Sequence, residues 1–69
     1  MVTKINSIED WSRLLKLAKS GDSKAQYDVA QIYDAGLVAM GVEIVEQNES
    51  EAFKWYHEAY KNGNISMEL

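Results

Sequence analysis

The sequence predicts an all-α fold of antiparallel helical pairs, with three helices and the start of a fourth. Three observations carry this. The 69 residues hold no proline and only four glycines, where average usage would place about three prolines at roughly 5%. Apolar residues recur at steps of three and four in three separate stretches, the period of a helix with one buried face. Each stretch opens on a side chain able to cap it and closes at a glycine.

The first stripe is Ile8, Trp11, Leu14, Leu15 and Ala18. Ser7 stands where an N-cap belongs, Asp10 three residues on makes an acidic variant of the capping box, and Gly21 is a natural left-handed stop. Helix one is therefore expected over 8–20. Asp22 or Ser23 then caps a second helix whose buried face is Ala25, Val29, Ile32 and Tyr33, with the small Ala30 beside it, and Gly36 ends it. A connection of only one or two residues at Gly21-Asp22 forces these two helices antiparallel.

From Gly36 to Gln47 the helical period is lost. Leu37, Val38, Met40, Val42, Ile44 and Val45 are interspersed with two glycines and two glutamates. This pattern is open to a loop, a short extended piece over 41–46 or a partial continuation of helix two. Asn48 opens the third helix, with Glu51 placed to complete a capping box and Glu49 favourable near the positive helix end. Ala52, Trp55, Tyr56, Ala59 and Tyr60 mark its buried face, and Lys61 followed by Gly63 closes it, giving 49–62. Asn64-Ile65-Ser66-Met67-Glu68-Leu69 reads as the cap and first turn of a fourth helix, too short to stand alone because nucleation is costly.

Composition narrows the function. The net charge is −4 and the seven basic residues are scattered, none beside another. Nucleic acid and anionic membrane are thus poor partners, since both call for clustered cations. There is no apolar run of about 18 residues to span a bilayer, and Glu9, Asp10 and Arg13 interrupt any signal-peptide stretch, so a cytoplasmic setting is expected. Below about 70 residues one core rarely supplies more than ~3–5 kcal/mol. With no cysteine to staple the chain, further chain, a dimer or a bound partner is expected to complete it.

Candidate chemistry is sparse. His57 is the single histidine and there is no cysteine, so a zinc site would need several carboxylates around one imidazole; with Lys54, Glu58 and Lys61 near it on the helix, His57 reads as part of a solvated face. Glu43, Glu46, Glu49 and Glu51 lack the alternating acidic pattern and glycine of a calcium loop and read as an acidic rim. Gly36 and Gly41 make no phosphate loop, and no serine sits in a nucleophile turn. The aromatic set Trp11, Tyr27, Tyr33, Phe53, Trp55, Tyr56 and Tyr60 reads mainly as inter-helix packing, although Tyr27 lies off the main stripe. No catalytic residue, metal or cofactor is expected. The apolar residues of 36–48 either fold back over a helix end or form an exposed patch for a partner.

An offset of 42 positions lays Trp11 on Phe53, Lys19 on Lys61, Gly21 on Gly63 and Asp22 on Asn64. A period of this size marks helical-pair repeats, which bury their apolar faces by stacking. Ala25-Gln26-Tyr27-Asp28-Val29-Ala30-Gln31-Ile32-Tyr33-Asp34-Ala35-Gly36 resembles the first helix of a Sel1-like repeat, and Ala52-Phe53-Lys54-Trp55-Tyr56-His57-Glu58-Ala59-Tyr60-Lys61-Asn62-Gly63-Asn64 resembles its second. The signature positions are Ala25, Val29, Ala30, Tyr33, Gly36, Ala52, Trp55, Tyr56, Ala59 and Gly63. Departures are the long 36–48 connection, Ala30 at a consensus glycine, Val29 for leucine and Tyr60 for the second alanine of a pair.

The resemblance divides the chain into a capping helix over 1–21, one repeat over 22–63 and the start of another repeat or a C-terminal cap over 64–69. It implies a right-handed, tetratricopeptide-like α-solenoid serving as a non-catalytic protein-interaction adaptor, of a regulatory or toxin-neutralising kind. Its partner would be another protein or a peptide, met by Asp28, Gln31 and Asp34 on the second helix and by Leu37, Val38 and Met40. One alternative is a structural fragment that self-associates through the edge near Met67 and Leu69. A remoter one is a hydrolase bearing related repeats.

Overall fold

The computed structural model describes residues 7–63. The order is α1 (Ile8–Lys19), α2 (Ser23–Ala35), β1 (Leu37–Ala39), β2 (Val42–Val45) and α3 (Glu49–Gly63). The three helices fall close to where the caps and stripes put them. The expected turn of a fourth helix, at 64–69, lies outside the described residues, as do 1–6.

The joint between α1 and α2 is made by local chemistry alone. Ser7 caps α1 by accepting from the Asp10 N–H at 3.2 Å. At the other end Gly21, at φ +106°, lets its N–H reach the Ala18 carbonyl at 3.1 Å while the Asp22 N–H reaches that of Leu17 at 3.3 Å. These are the paired bonds of a Schellman stop. Asp22 then turns its carboxylate on the Ala25 N–H at 2.9 Å and caps α2. One short link thus ends one helix and begins the next, and α1 lies against α2.

The all-α expectation needs a correction between α2 and α3. The 36–48 segment folds into a two-stranded antiparallel hairpin, with Leu37 opposite Val45, Val38 opposite Glu43, Ala39 opposite Val42 and an irregularity between Leu37 and Val38. The β-branched Val42, Ile44 and Val45 favour a strand over a continued helix. Met40 and Gly41 form the two-residue turn, both at positive φ (55° and 77°), as a type I′ hairpin requires.

The hairpin also returns the chain to the end of α2. Gly36 donates to the Ile32 carbonyl at 2.7 Å and Asn48 to that of Tyr33 at 2.8 Å, while Gln47 Nε2 donates to that of Asp34 at 2.9 Å. Three carbonyls that a helix end leaves without partners are thereby satisfied. Asn48 faces the other way with its side chain, accepting from the Glu51 N–H at 3.1 Å to cap α3. The expected capping box is only half formed, because the Asn48 N–H goes to Tyr33 and the Glu51 carboxylate pairs with Lys54 at 3.4 Å.

Small residues build the core. Ala18, Ala25, Val29, Ala30, Ala52 and Ala59 are all buried, joined by Leu14, Ile32 and Val45. Alanine at these positions lets α2 lie close against α3, its most extensive neighbour. The aromatics therefore surround the core instead of filling it: Trp11, Tyr27, Tyr33, Trp55 and Tyr56 are half-buried, and Phe53 and Tyr60 are exposed. Trp11 meets Tyr33 edge to face with centroids 5.5 Å apart, a favoured geometry for joining α1 to α2. Two expected buried-face residues are corrected by this arrangement. Ile8 lies at the open first turn of α1 and is 63% exposed, and Tyr60 lies past the alanine seam and is 59% exposed.

One polar side chain crosses the core. Gln26, only 3% exposed, donates from Nε2 to the Ala18 carbonyl at 2.9 Å and accepts at Oε1 from Asn62 Nδ2 at 3.3 Å. It ties the last turn of α1 and the last turn of α3 to the first turn of α2.

Two stability predictions follow from these contacts. Gln26→Leu keeps the volume but removes both bonds, and should lower unfolding stability in urea by about 1–3 kcal/mol; an unchanged midpoint would show the bridge to be idle. Gly36→Ala should cost about 1–3 kcal/mol, because Gly36 sits at φ +79° and a Cβ there would meet the Gln47 backbone nitrogen at 3.3 Å. Urea titration of that variant checks it, and a loss under a few tenths of a kcal/mol would refute the strain.

Candidate functional site

Two exposed surfaces stand out. The first is the hairpin. Val45 is buried and Leu37 packs against the same core cluster, so the base of the hairpin is anchored. Its far end is not: Val38 is 67% exposed, Val42 54% and Met40 88%. Methionine at positive φ in a turn that asparagine or glycine normally fills carries a steric cost, and here it holds a long apolar side chain out in water. Between this end and the start of α1 runs a groove of about 350 Å³, lined by Ile8, Ala39, Met40, Val42 and Ile44 with Ser7 and Glu9.

The second surface spans α2 and α3. Helical spacing puts Tyr27, Gln31 and Asp34 along one row of α2 and Phe53, Tyr56 and Tyr60 along one row of α3. The two rows are joined by Tyr27 and Tyr56, whose rings lie 5.5 Å apart and inclined at 63°. Burial pushes the Tyr56 phenol above its ordinary value, and the Asp34 carboxylate and Tyr27 beside it add to the shift. Tyr33, on the opposite side of α2, is raised by burial and then by Glu51.

Of the residues expected to meet a partner, Val38, Met40 and Asp34 are exposed, Asp28 and Gln31 are half-buried, and Leu37 is half-buried and turned to the core. Leu37 therefore serves as the hairpin's anchor and not as part of its free surface. Of the signature positions, Ala25, Val29, Ala30, Ala52 and Ala59 are buried and Tyr33, Gly36, Trp55, Tyr56 and Gly63 are half-buried. Sequence reasoning missed Ile8, Val42 and Ile44 as lining of one groove and Phe53 with Tyr60 as one exposed row. The spacing of seven between the last two was the available signal.

His57 and the carboxylates Glu43, Glu46 and Glu49 are exposed. Among the described residues no group of three or more His, Cys, Asp or Glu side chains is placed to hold a metal ion. No helix among them is long and apolar enough to cross a membrane. The charged pairs Arg13–Asp10, Lys54–Glu51 and Lys61–Glu58, at 3.4 to 3.7 Å, are solvated pairs one helical turn apart, of the kind that contributes little.

Comparison with protein-family models, with curated proteins and with solved structures finds no match to this chain.

Burial raises the Asp28 carboxyl above its ordinary value, with Lys24 opposing the shift. The folded chain then holds this proton to higher pH than the unfolded chain does, so charging Asp28 opposes folding. That penalty is absent below the unfolded carboxylate value of about 3.9 and complete above the raised one. Asp28→Asn in dilute protein should accordingly raise the urea midpoint at neutral pH, with the gain vanishing as the pH falls below the unfolded value. Urea titrations across that range test this; a gain independent of pH would assign the effect to something other than charge.

Proposed function

We propose that the chain is a non-catalytic protein-binding module of the Sel1-like, tetratricopeptide-like kind, with the hairpin end as its principal contact surface. The observation that carries this is Met40. It stands 88% exposed at the tip of a hairpin whose backbone adopts a disfavoured conformation to present it. Residues held at such a cost cluster at functional places. Val38 and Val42 extend the apolar surface, and the groove beside Ile8 gives it a concave side able to take an apolar side chain from a partner protein or peptide.

The helical-repeat assignment is supported by the residue pattern over 25–36 and 52–64 and by an antiparallel α2–α3 pair with alanines along its seam. In repeats of this kind the first helix of each pair contributes to binding. Asp28, Gln31 and Asp34 on α2 are therefore assigned as a second, polar contact, apart from the apolar end of the hairpin. Binding without turnover is the expected behaviour.

Photo-crosslinking tests this. A chain carrying photo-methionine at position 40 should crosslink a discrete set of proteins in native lysate, and Val38→Asp with Met40→Asp should abolish their capture while leaving the circular dichroism unchanged. Equal capture by the doubly substituted chain would remove the hairpin from the binding surface.

A further inference from the structure

Sulfur occurs at a single place among the described residues. The chain holds no cysteine and three methionines, of which Met1 and Met67 lie outside the described residues. The buried apolar side chains are those of alanine, valine, leucine and isoleucine. Met40 is therefore the one sulfur atom of the described structure, and it is 88% exposed. It stands in the two-residue turn with Gly41, at the end of the hairpin away from the Leu37–Val45 pair that anchors it. Exposure governs how readily a thioether meets an oxidant, and a protruding tip also admits an enzyme.

The same atom lies at the centre of the apolar end of the hairpin. Val38 and Val42 are exposed beside it, and it lines the groove with Ile8, Val42 and Ile44. Oxidation to the sulfoxide turns this flexible apolar side chain into a polar one. The new oxygen is a strong acceptor, and covering it without a donor is costly. Among the side chains lining the groove the single hydrogen-bond donor is the Ser7 hydroxyl, since the ionised carboxylate of Glu9 only accepts. The fold itself does not depend on Met40. Leu37 and Val45 hold the base of the hairpin in the core, and the Asn48 N–H closes it onto the Tyr33 carbonyl at 2.8 Å. A sulfoxide in a core disrupts packing; at this tip it changes a surface alone.

We propose that Met40 is a reversible oxidation site, whose conversion to the sulfoxide by a hydroperoxide switches off the apolar contact of the hairpin while the fold stays intact. In the forward step a sulfur lone pair attacks a peroxide oxygen, the O–O bond breaks and an S–O bond forms. Sulfur loses two electrons and the peroxide gains them, leaving as water from hydrogen peroxide or as an alcohol from an organic hydroperoxide. In the reverse step two thiols of a reductant become a disulfide and the sulfoxide oxygen leaves as water. The proposal rests on the hairpin being the binding surface and makes that binding conditional on redox state.

The test treats the full 69-residue chain with hydrogen peroxide at a concentration that oxidises free methionine, and locates the added oxygen by mass spectrometry. Immobilised chain is then exposed to native lysate, and the hairpin-dependent proteins are those lost when Val38→Asp and Met40→Asp are introduced together. The expected result is oxygen on Met40, unchanged circular dichroism and capture of the hairpin-dependent proteins lowered at least about tenfold. Methionine sulfoxide reductases of both epimer specificities, with dithiothreitol, should restore capture. Met40→Leu keeps an apolar side chain at the tip and should capture the same proteins before and after peroxide. That variant retains Met1 and Met67, so a peroxide-induced loss in it would place the effect elsewhere and overturn the proposal. Undiminished capture by chain oxidised at Met40, or a Met40 that resists peroxide, would overturn it and leave the hairpin's role standing. If no captured protein is lost on the double substitution, the hairpin's role itself fails and the proposal with it.

Discussion

The arrangement of the three helices depends on the side chain of Gln26. A buried amide is costly unless its donor and acceptor are both used. Here the amide uses them in different directions, giving a proton to the Ala18 carbonyl at the end of α1 and accepting one from Asn62 near the end of α3. The Ala18 carbonyl also receives the Gly21 N–H, so the stop of α1, the start of α2 and the close of α3 meet at one point. Alanine packing lets the helices approach, but it is non-directional. The amide fixes which turns meet, and that places the Tyr27–Tyr56 contact and the row of α3 beside α2.

The second fixed point is at the opposite end of α2. Three of its last carbonyls are taken, one by the N–H of its own cap Gly36 and two by Asn48 and the Gln47 side chain, which follow the hairpin. The hairpin is therefore part of the end of a helix and not an appendage, and its inward residues Leu37 and Val45 extend the same core. This is what allows its tip to present Met40 in a disfavoured conformation. A two-stranded hairpin alone is marginal in water; one clamped at its base by helix-capping bonds and apolar packing has a defined direction.

What could be read from the sequence was what local chemistry decides. The Gly21-Asp22 joint is legible because a left-handed stop and an N-cap carboxylate are properties of two adjacent residues. The stripes of α1 and α2 and most of that of α3 are legible because a helix buries one face. The hairpin was one of three open readings of its segment, since Met40-Gly41 lacks the asparagine that announces a type I′ turn. Gln26 could not be recognised as a bridge, because its acceptor and donor lie eight and thirty-six residues away and only the packed structure brings them together. The same is true of the candidate site: Val38 and Met40 stood out as apolar residues in a segment of lost period, whereas the groove needs Ile8 from the other end of the chain. The aromatics were expected mainly inside, and the alanine seam instead left them around the core.

The three helices and the hairpin form one cooperative body, with surfaces whose positions follow from two polar junctions. Native-state hydrogen exchange of the backbone amides tests this most directly, because it reads the opening free energy of each element separately. The result expected is a shared opening free energy for the central amides of α1, α2 and α3, with the Asn48 amide, which closes the hairpin onto Tyr33, protected alongside them. Exchange of α1 through a separate low-energy opening while α2 and α3 stay protected would contradict it, as would an unprotected Asn48 amide.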